Sequence, residues 1–269
     1  VAPPLLLVAA SGLAREVLAC LRTHAIAPVI GFLDDDPARQ GTLVDGVPVL
    51  GGLEAVREHP YAEILVCAGS GAAREAIVER LVHLGVGPLR YATLVHPGVE
   101  VPHGCEIGAG AIVLAGVVLT TDVTIGEHVV VMPNVTLTHD CVLQDYSTVC
   151  AGVALGGSVV VGHGAYVGMN ASVRQSVHVG EHATLGMGAV LLTDQPDHET
   201  WAGVPARAIG ATARTAASTA TSTATPAAGD AAAVQDGTDA TARAAAPVPQ
   251  DSWPTGMPAA TIEGGAVAR

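Results

Sequence analysis

The sequence predicts an α/β plus all-β chain: a small N-terminal Rossmann-like βαβ domain, a left-handed parallel β-helix, then a disordered tail. Three observations carry this prediction. An aliphatic residue stands at every sixth position from Val95 to Leu191 without a miss. Strand-like and helix-like patterns alternate ahead of that series. After residue 210 the large aliphatics almost disappear.

In the first segment, residues 1–94, the apolar run 5–9 reads as a strand and is followed by Ala10, Ser11 and Gly12. Leu13, Val17, Leu18 and Leu21 then fall on one face of a helix. Residues 28–33 form a second strand that ends in Asp34-Asp35-Asp36, and 47–50 and 64–68 form further strands. Residues 72–84 are helical, with Ile77, Leu81 and Leu84 on one side. Such alternation gives a parallel sheet flanked by helices.

The second segment, 95–210, is the repeat. A helix has no period of six and a half-buried strand has a period of two, whereas a coil of three short faces repeats every six residues. Residues eighteen apart therefore stack on successive coils, and 95–194 make about five and a half coils. An aromatic content of 3% suits a prism too narrow for rings. Trp201-Ala202-Gly203-Val204-Pro205-Ala206 reads as a terminal loop or cap, which a solenoid needs to block edge pairing. The third segment, 211–269, is rich in Ala, Thr, Ser, Pro and Gly. It buries too little to offset its ordering entropy and reads as disordered, with Trp253 and Met257 as chance occurrences.

A net charge of −13 argues against a nucleic-acid partner. All twelve basic residues are arginine, a mark of coding bias. The five cysteines are scattered, with no C-x-x-C pair, and read as reduced thiols of a cytoplasmic protein. The uncharged stretch 107–121 is too short to span a membrane and keeps the six-residue beat. Residues 5–8 follow no basic residue and make no secretory signal. The chain opens on Val1, which leaves its true start open by a few residues.

Spacing alone does not choose among the eleven histidines. The neighbours of His139 do more. Asp140 follows it directly and can orient an imidazole. Gly157, eighteen residues on, stacks over it with no side chain and offers an exposed backbone N–H to a developing oxyanion. A turn glycine beside a surface histidine explains the same spacing. Cys141 is expected to point away from His139's side, and a covalent acyl-enzyme is not expected. The Ser11-Gly12 turn lacks G-x-G-x-x-G, which argues against a nicotinamide dehydrogenase.

The chain resembles the bacterial sugar O-acyltransferases of the sialic acid acetyltransferase type, and most of all the nucleotide-sugar N-acetyltransferases. The resemblance covers residues 4–210. It rests on Val8-Ala9-Ala10-Ser11-Gly12-Leu13-Ala14-Arg15-Glu16, Phe32-Leu33-Asp34-Asp35-Asp36, Gly46-Val47-Pro48-Val49-Leu50-Gly51, Thr138-His139-Asp140-Cys141 and Gly203-Val204-Pro205-Ala206. It implies an acetyl-CoA-dependent, metal-free N-acetyltransferase and homotrimer, acting on the amino group of a nucleotide-linked sugar. His139 would be the general base, Asp140 its support, and the Gly157 amide would face the thioester carbonyl. Thr148, Gly157, Met169 and Gly186-Met187-Gly188 would line the acetyl-CoA groove between subunits. Ser11, Gly12, Leu13, Asp34, Asp35 and Gly51 would hold the nucleotide sugar. The chain departs from the family at Ala9, Ala10 and Leu13, where relatives carry more glycine and often a histidine, and at Thr148, where some carry a histidine.

Three other readings use the same residues. Sugar O-acetylation, for example of a sialic acid, needs the same base. A non-catalytic nucleotide-sugar scaffold or sensor needs only the first domain. A β-helical zinc enzyme would use His103 and His139, but Gln144 stands where its third histidine belongs.

Overall fold

The protein is described by a computed structural model covering residues 2–211. The tail expectation, with Trp253 and Met257, falls on residues 212–269, outside the described residues.

The N-terminal part is a five-stranded sheet. Its strands are β1 (Leu5–Val8), β2 (Val29–Leu33), β3 (Leu43–Val44), β4 (Val47–Gly51) and β5 (Glu63–Val66), in the order β3-β4-β2-β1-β5. All neighbours are parallel except β3 and β4. The two-residue β3 escaped the sequence pattern because it has no room for a period. Helix α1 (Gly12–Thr23) is capped by Ser11, whose Oγ accepts from the Ala14 N–H at 3.2 Å. Helix α2 (Gly71–His83) is capped by Ser70 in the same way, at 3.3 Å.

Alternate residues of β1 face opposite layers, as a strand's period of two requires. Leu5 and Leu7 pack with Leu13, Val17, Leu18 and Leu21 of α1, and this cluster continues into Leu94, Ile112 and Val130 of the β-helix. Leu6 and Val8 pack with Val78 and Leu81 of α2. One core thus runs from the sheet into the first coils. Ala9 ends β1 at φ 69°, a left-handed conformation that costs a residue with a Cβ about 1 kcal/mol.

The β-helix is a prism of three parallel sheets with eighteen-residue registry throughout. The first face holds Leu94–Val95, Ile112–Val113, Val130–Val131, Thr148–Val149, Tyr166–Val167 and Thr184–Leu185. The second holds Val118–Leu119, Thr136–Leu137, Ala154–Leu155, Ser172–Val173 and Val190–Leu191. The third holds Glu106–Ile107, Thr124–Ile125, Val142–Leu143, Val160–Val161 and His178–Val179. The hairpin of Glu199–Ala202 and Arg207–Ala211 closes the last coil, with Thr200 paired to Thr184 and Trp201 to Leu185.

Two features of the repeat were not read from the sequence. A second inward series of small residues, among them Ala111, Val117, Cys141 and Ala165, fills the prism two positions before the aliphatic one. Every sixth residue from Gly104 to Gly188 also adopts a left-handed φ between 52° and 90°. Between Asp122 and His182 most of these corner positions hold Asp, Asn, Ser or His, residue types that suit such a turn. The glycine just after the aliphatic residue has a different cause. A Cβ at Gly108 or Gly168 would come within 2.6 Å of the next coil's backbone.

Among the described residues, no helix is long and apolar enough to cross a membrane.

Candidate active site

His139 lies on the corner between the second and third faces. It follows Thr136–Leu137 and precedes Val142–Leu143. Asp140 takes the left-handed turn position at φ 61°, which brings its carboxylate back alongside the imidazole, with Oδ2 at 2.7 Å from Nδ1. Donation from Nδ1–H to Asp140 leaves the Nε2 lone pair outward, the tautomer a proton acceptor needs. The His139 side chain is 54% exposed.

Gly157 sits one coil on, and a Cβ there would lie 2.2 Å from His139 Cε1 and 2.3 Å from Nε2. Its φ is outside the left-handed region, so the imidazole's close approach is what requires glycine. Among the described residues its N–H has no hydrogen-bond partner. The expectation of an exposed amide is corrected in one respect: the ring covers Gly157, which is buried. Cys141 points into the prism, with Sγ 3.3 Å from the Gly156 carbonyl and its thiol pushed up by burial. A buried protonated thiol makes a poor nucleophile.

The remaining expected residues divide among separate places. Met169 and Met187 are 47% and 73% exposed on the corner between the first and second faces, one coil apart, with Gly186 and Gly188 beside them. This is a different edge of the prism from His139. Thr148 is corrected outright. It is 4% exposed, and its Oγ1 accepts from Arg74 Nη2 at 2.9 Å, so it offers no open surface to a ligand.

At the carboxyl edge of the sheet, Ser11 Oγ donates to the Cys67 carbonyl at 2.6 Å. Gly12 is open, with nothing within 4 Å of a Cβ built on it, and the Leu13 side chain belongs to the α1 core. Asp34 accepts from the N–H groups of Ala10 at 2.8 Å and Asp36 at 2.9 Å, and its own N–H donates to Gly51 O at 2.9 Å. Arg39 donates to the Ala10 carbonyl. Asp35 accepts from Leu53 N–H and pairs with Arg80 at 2.5 Å. Burial alone would raise its carboxyl, but those two bonds and the Arg80 charge hold it below the usual range. Both carboxylates therefore brace the loops around this edge. Open parallel sheets take ligands outside the carboxyl ends of their strands where chain order reverses, and in this sheet that point lies between β1 and β5. Residues 9–12 and 67–71 flank it.

Sequence reasoning missed Arg74. It is fully buried, paired with no carboxylate among the described residues, and its guanidinium reaches the carbonyls of Ala68, Gly69, His128, Tyr146 and Ser147 and the Thr148 hydroxyl. Burial lowers it to about 10, opposed by Cys67 and Tyr146. The available signal was helical spacing, which puts 74, 78 and 81 on the apolar face of α2. Gly71 completes the seat, since a Cβ there would meet Tyr146 O at 2.2 Å.

Beside this seat His128 is 1% exposed, stacked on Tyr146 at 5.3 Å and edge-on to Tyr91 at 4.7 Å. Burial first, and the Arg74 charge second, depress it from 6.5 to about 4. The unfolded chain binds this proton below about pH 6.5 while the folded chain resists until about 4. Stability is therefore complete above 6.5 and is lost as pH falls through that window, by about 3 kcal/mol. Urea titrations from pH 7 to 4.5 should show this slope, and His128→Asn, whose side chain tolerates φ 53°, should flatten it.

Known proteins share this architecture. Residues 4–81 match the PglD N-terminal domain, and residues 122–157 match the bacterial transferase hexapeptide (six repeats). No curated protein matches the chain. The acetyltransferase domain of PglB from Neisseria gonorrhoeae is 31% identical, with a TM-score of 0.70 over 77% of this chain and 99% of that one, and its structure with acetyl coenzyme A is also known. PerB from Caulobacter crescentus, solved with CoA and GDP-perosamine, is 29% identical, with a TM-score of 0.70 over 78% of this chain and 100% of that one. WeeI from Acinetobacter baumannii is 26% identical, with a TM-score of 0.66 over 76% and 99%. The chain thus belongs to the bacterial hexapeptide-repeat sugar acetyltransferases and is an acetyl-CoA-dependent acetyltransferase.

Proposed function

We propose that this enzyme transfers the acetyl group of acetyl-CoA to the amino group of a nucleotide-linked amino sugar, with His139 as general base. The observation that carries this reading is the anchored imidazole, its Nδ1 at 2.7 Å from Asp140 and its ring packed against Gly157, whose N–H has no partner among the described residues. That PerB binds CoA and GDP-perosamine supports a nucleotide-linked acceptor. His139 Nε2 takes the amine proton as nitrogen bonds to the thioester carbon. It returns that proton to sulfur as the carbon–sulfur bond breaks. Asp140 keeps the ring in the required tautomer and stabilises its cation. The Gly157 N–H is the donor for charge developing on the carbonyl oxygen.

The exposed Met169 and Met187 offer an apolar surface to the pantetheine arm, yet they stand on another corner from His139. A neighbouring copy must bring the two edges together, and a homotrimer does so around a threefold axis. The nucleotide lies in the crevice between β1 and β5, against Ser11, Gly12 and Leu13 on one side. Asp34, Asp35 and Gly51 hold the adjoining loops.

Incubation with acetyl-CoA and UDP-, GDP- and dTDP-linked 4-amino sugars tests the reading. Release of free CoA thiol with an amide product is expected for one nucleotide class. An ester formed on a hydroxy sugar would replace it with O-acetylation. Tight nucleotide-sugar binding without turnover would replace it with a sensor.

A further inference from the structure

We propose that Arg74 is a positioning residue that holds the nucleotide-sugar crevice in fixed orientation on the β-helix, and so couples acceptor binding to transfer at His139. This rests on the proposed function. Arg74 bridges the two places directly. Nη1 donates to Ala68 O at 3.0 Å and Gly69 O at 3.2 Å, in the loop flanking the crevice. Nη2 reaches Tyr146 O at 2.7 Å, Ser147 O at 2.9 Å and Thr148 Oγ1 at 2.9 Å. Those three residues follow His139 on the same coil, separated from it by the strand Val142–Leu143. Nε donates to His128 O at 2.8 Å on the preceding coil.

An apolar contact could join sheet and β-helix as firmly, but it would not fix their rotation. A planar guanidinium with donors in a rigid fork does, because each N–H must meet its own acceptor. Desolvating that charge is costly, and no carboxylate among the described residues offsets it, so stability alone does not explain an arginine here. Gly71, whose hydrogen abuts Tyr146 O, and the pairing of Glu75 with His163 at 3.0 Å bring the first turn of α2 onto the same corner. They contribute contact, whereas Arg74 also grips the crevice loop.

The test compares two acceptors in steady state: the nucleotide-linked 4-amino sugar and the same amino sugar without its nucleotide. The free sugar cannot use the crevice, so its transfer reports His139 alone. R74K keeps the charge but supplies donors from a single point. It should lower kcat/KM for the linked acceptor by roughly 10-fold or more, while the free sugar and the KM for acetyl-CoA change by less than about 2-fold. T148V, which leaves Nη2 its two carbonyls, should shift the same ratio by a smaller factor and serves if R74K folds poorly. Equal losses for both acceptors would mean a merely structural residue and overturn the inference, as would an unchanged ratio in both variants. Wild-type enzyme inert toward every linked acceptor would remove the proposed function, and the inference with it. An active wild type with an unmoved ratio would remove the role of Arg74 alone.

Discussion

His139→Ala should lower kcat by roughly 10²–10⁴-fold, the range a positioned general base supplies. The melting temperature should stay within a degree or two, because the side chain is 54% exposed and its hydrogen bond to Asp140 is solvated. Acetyl-CoA binding, measured by calorimetry, should persist, since the substitution removes a proton acceptor and little binding surface. Full activity in the alanine variant would dismiss His139 as the base. Asp140→Asn should cost less, because an amide oxygen can still accept from Nδ1–H while no longer stabilising the cation.

Gly157→Ala is the more discriminating substitution. The new Cβ would stand 2.2–2.3 Å from Cε1 and Nε2 of the His139 ring. The backbone at 157 is not left-handed, so alanine suffers no conformational strain there. The ring, being half exposed, swings away instead of distorting the coil. A displacement of about 1 Å at a reacting group costs roughly 10²-fold in rate, so kcat should fall by about that factor. Stability should change by less than about 1 kcal/mol, because no cavity opens and the displaced group is solvated. Wild-type kcat in this variant would show that the imidazole works from elsewhere, and a large drop in melting temperature would show a packing role for the glycine.

The corner at His139 was legible in the sequence because the solenoid is a ruler. Adding eighteen to 139 finds Gly157, and in a parallel coil sequence separation is spatial separation. The same arithmetic failed at Thr148. The repeat assigns it to the outer side of the first face, but the ruler carries no information about what covers that face. There α1, α2 and the β5–α2 loop pack, and Thr148 becomes a partner of Arg74. Arg74 itself was hidden because its acceptors are mostly backbone carbonyls, which leave no side-chain signature.

The period of six and the alternation ahead of it determined the two architectures and their order, since they record which side chains must point inward. They also determined the His139–Asp140–Gly157 grouping, which is local to one corner and the coil above it. The period also separates the Met169 edge from the His139 edge, since thirty is not a multiple of eighteen. The tertiary structure alone decided how the sheet seats on the prism and why Asp34 and Asp35 brace loops. Those outcomes depend on contacts between residues far apart in the chain and not related by the repeat, where no periodicity links one partner to the other.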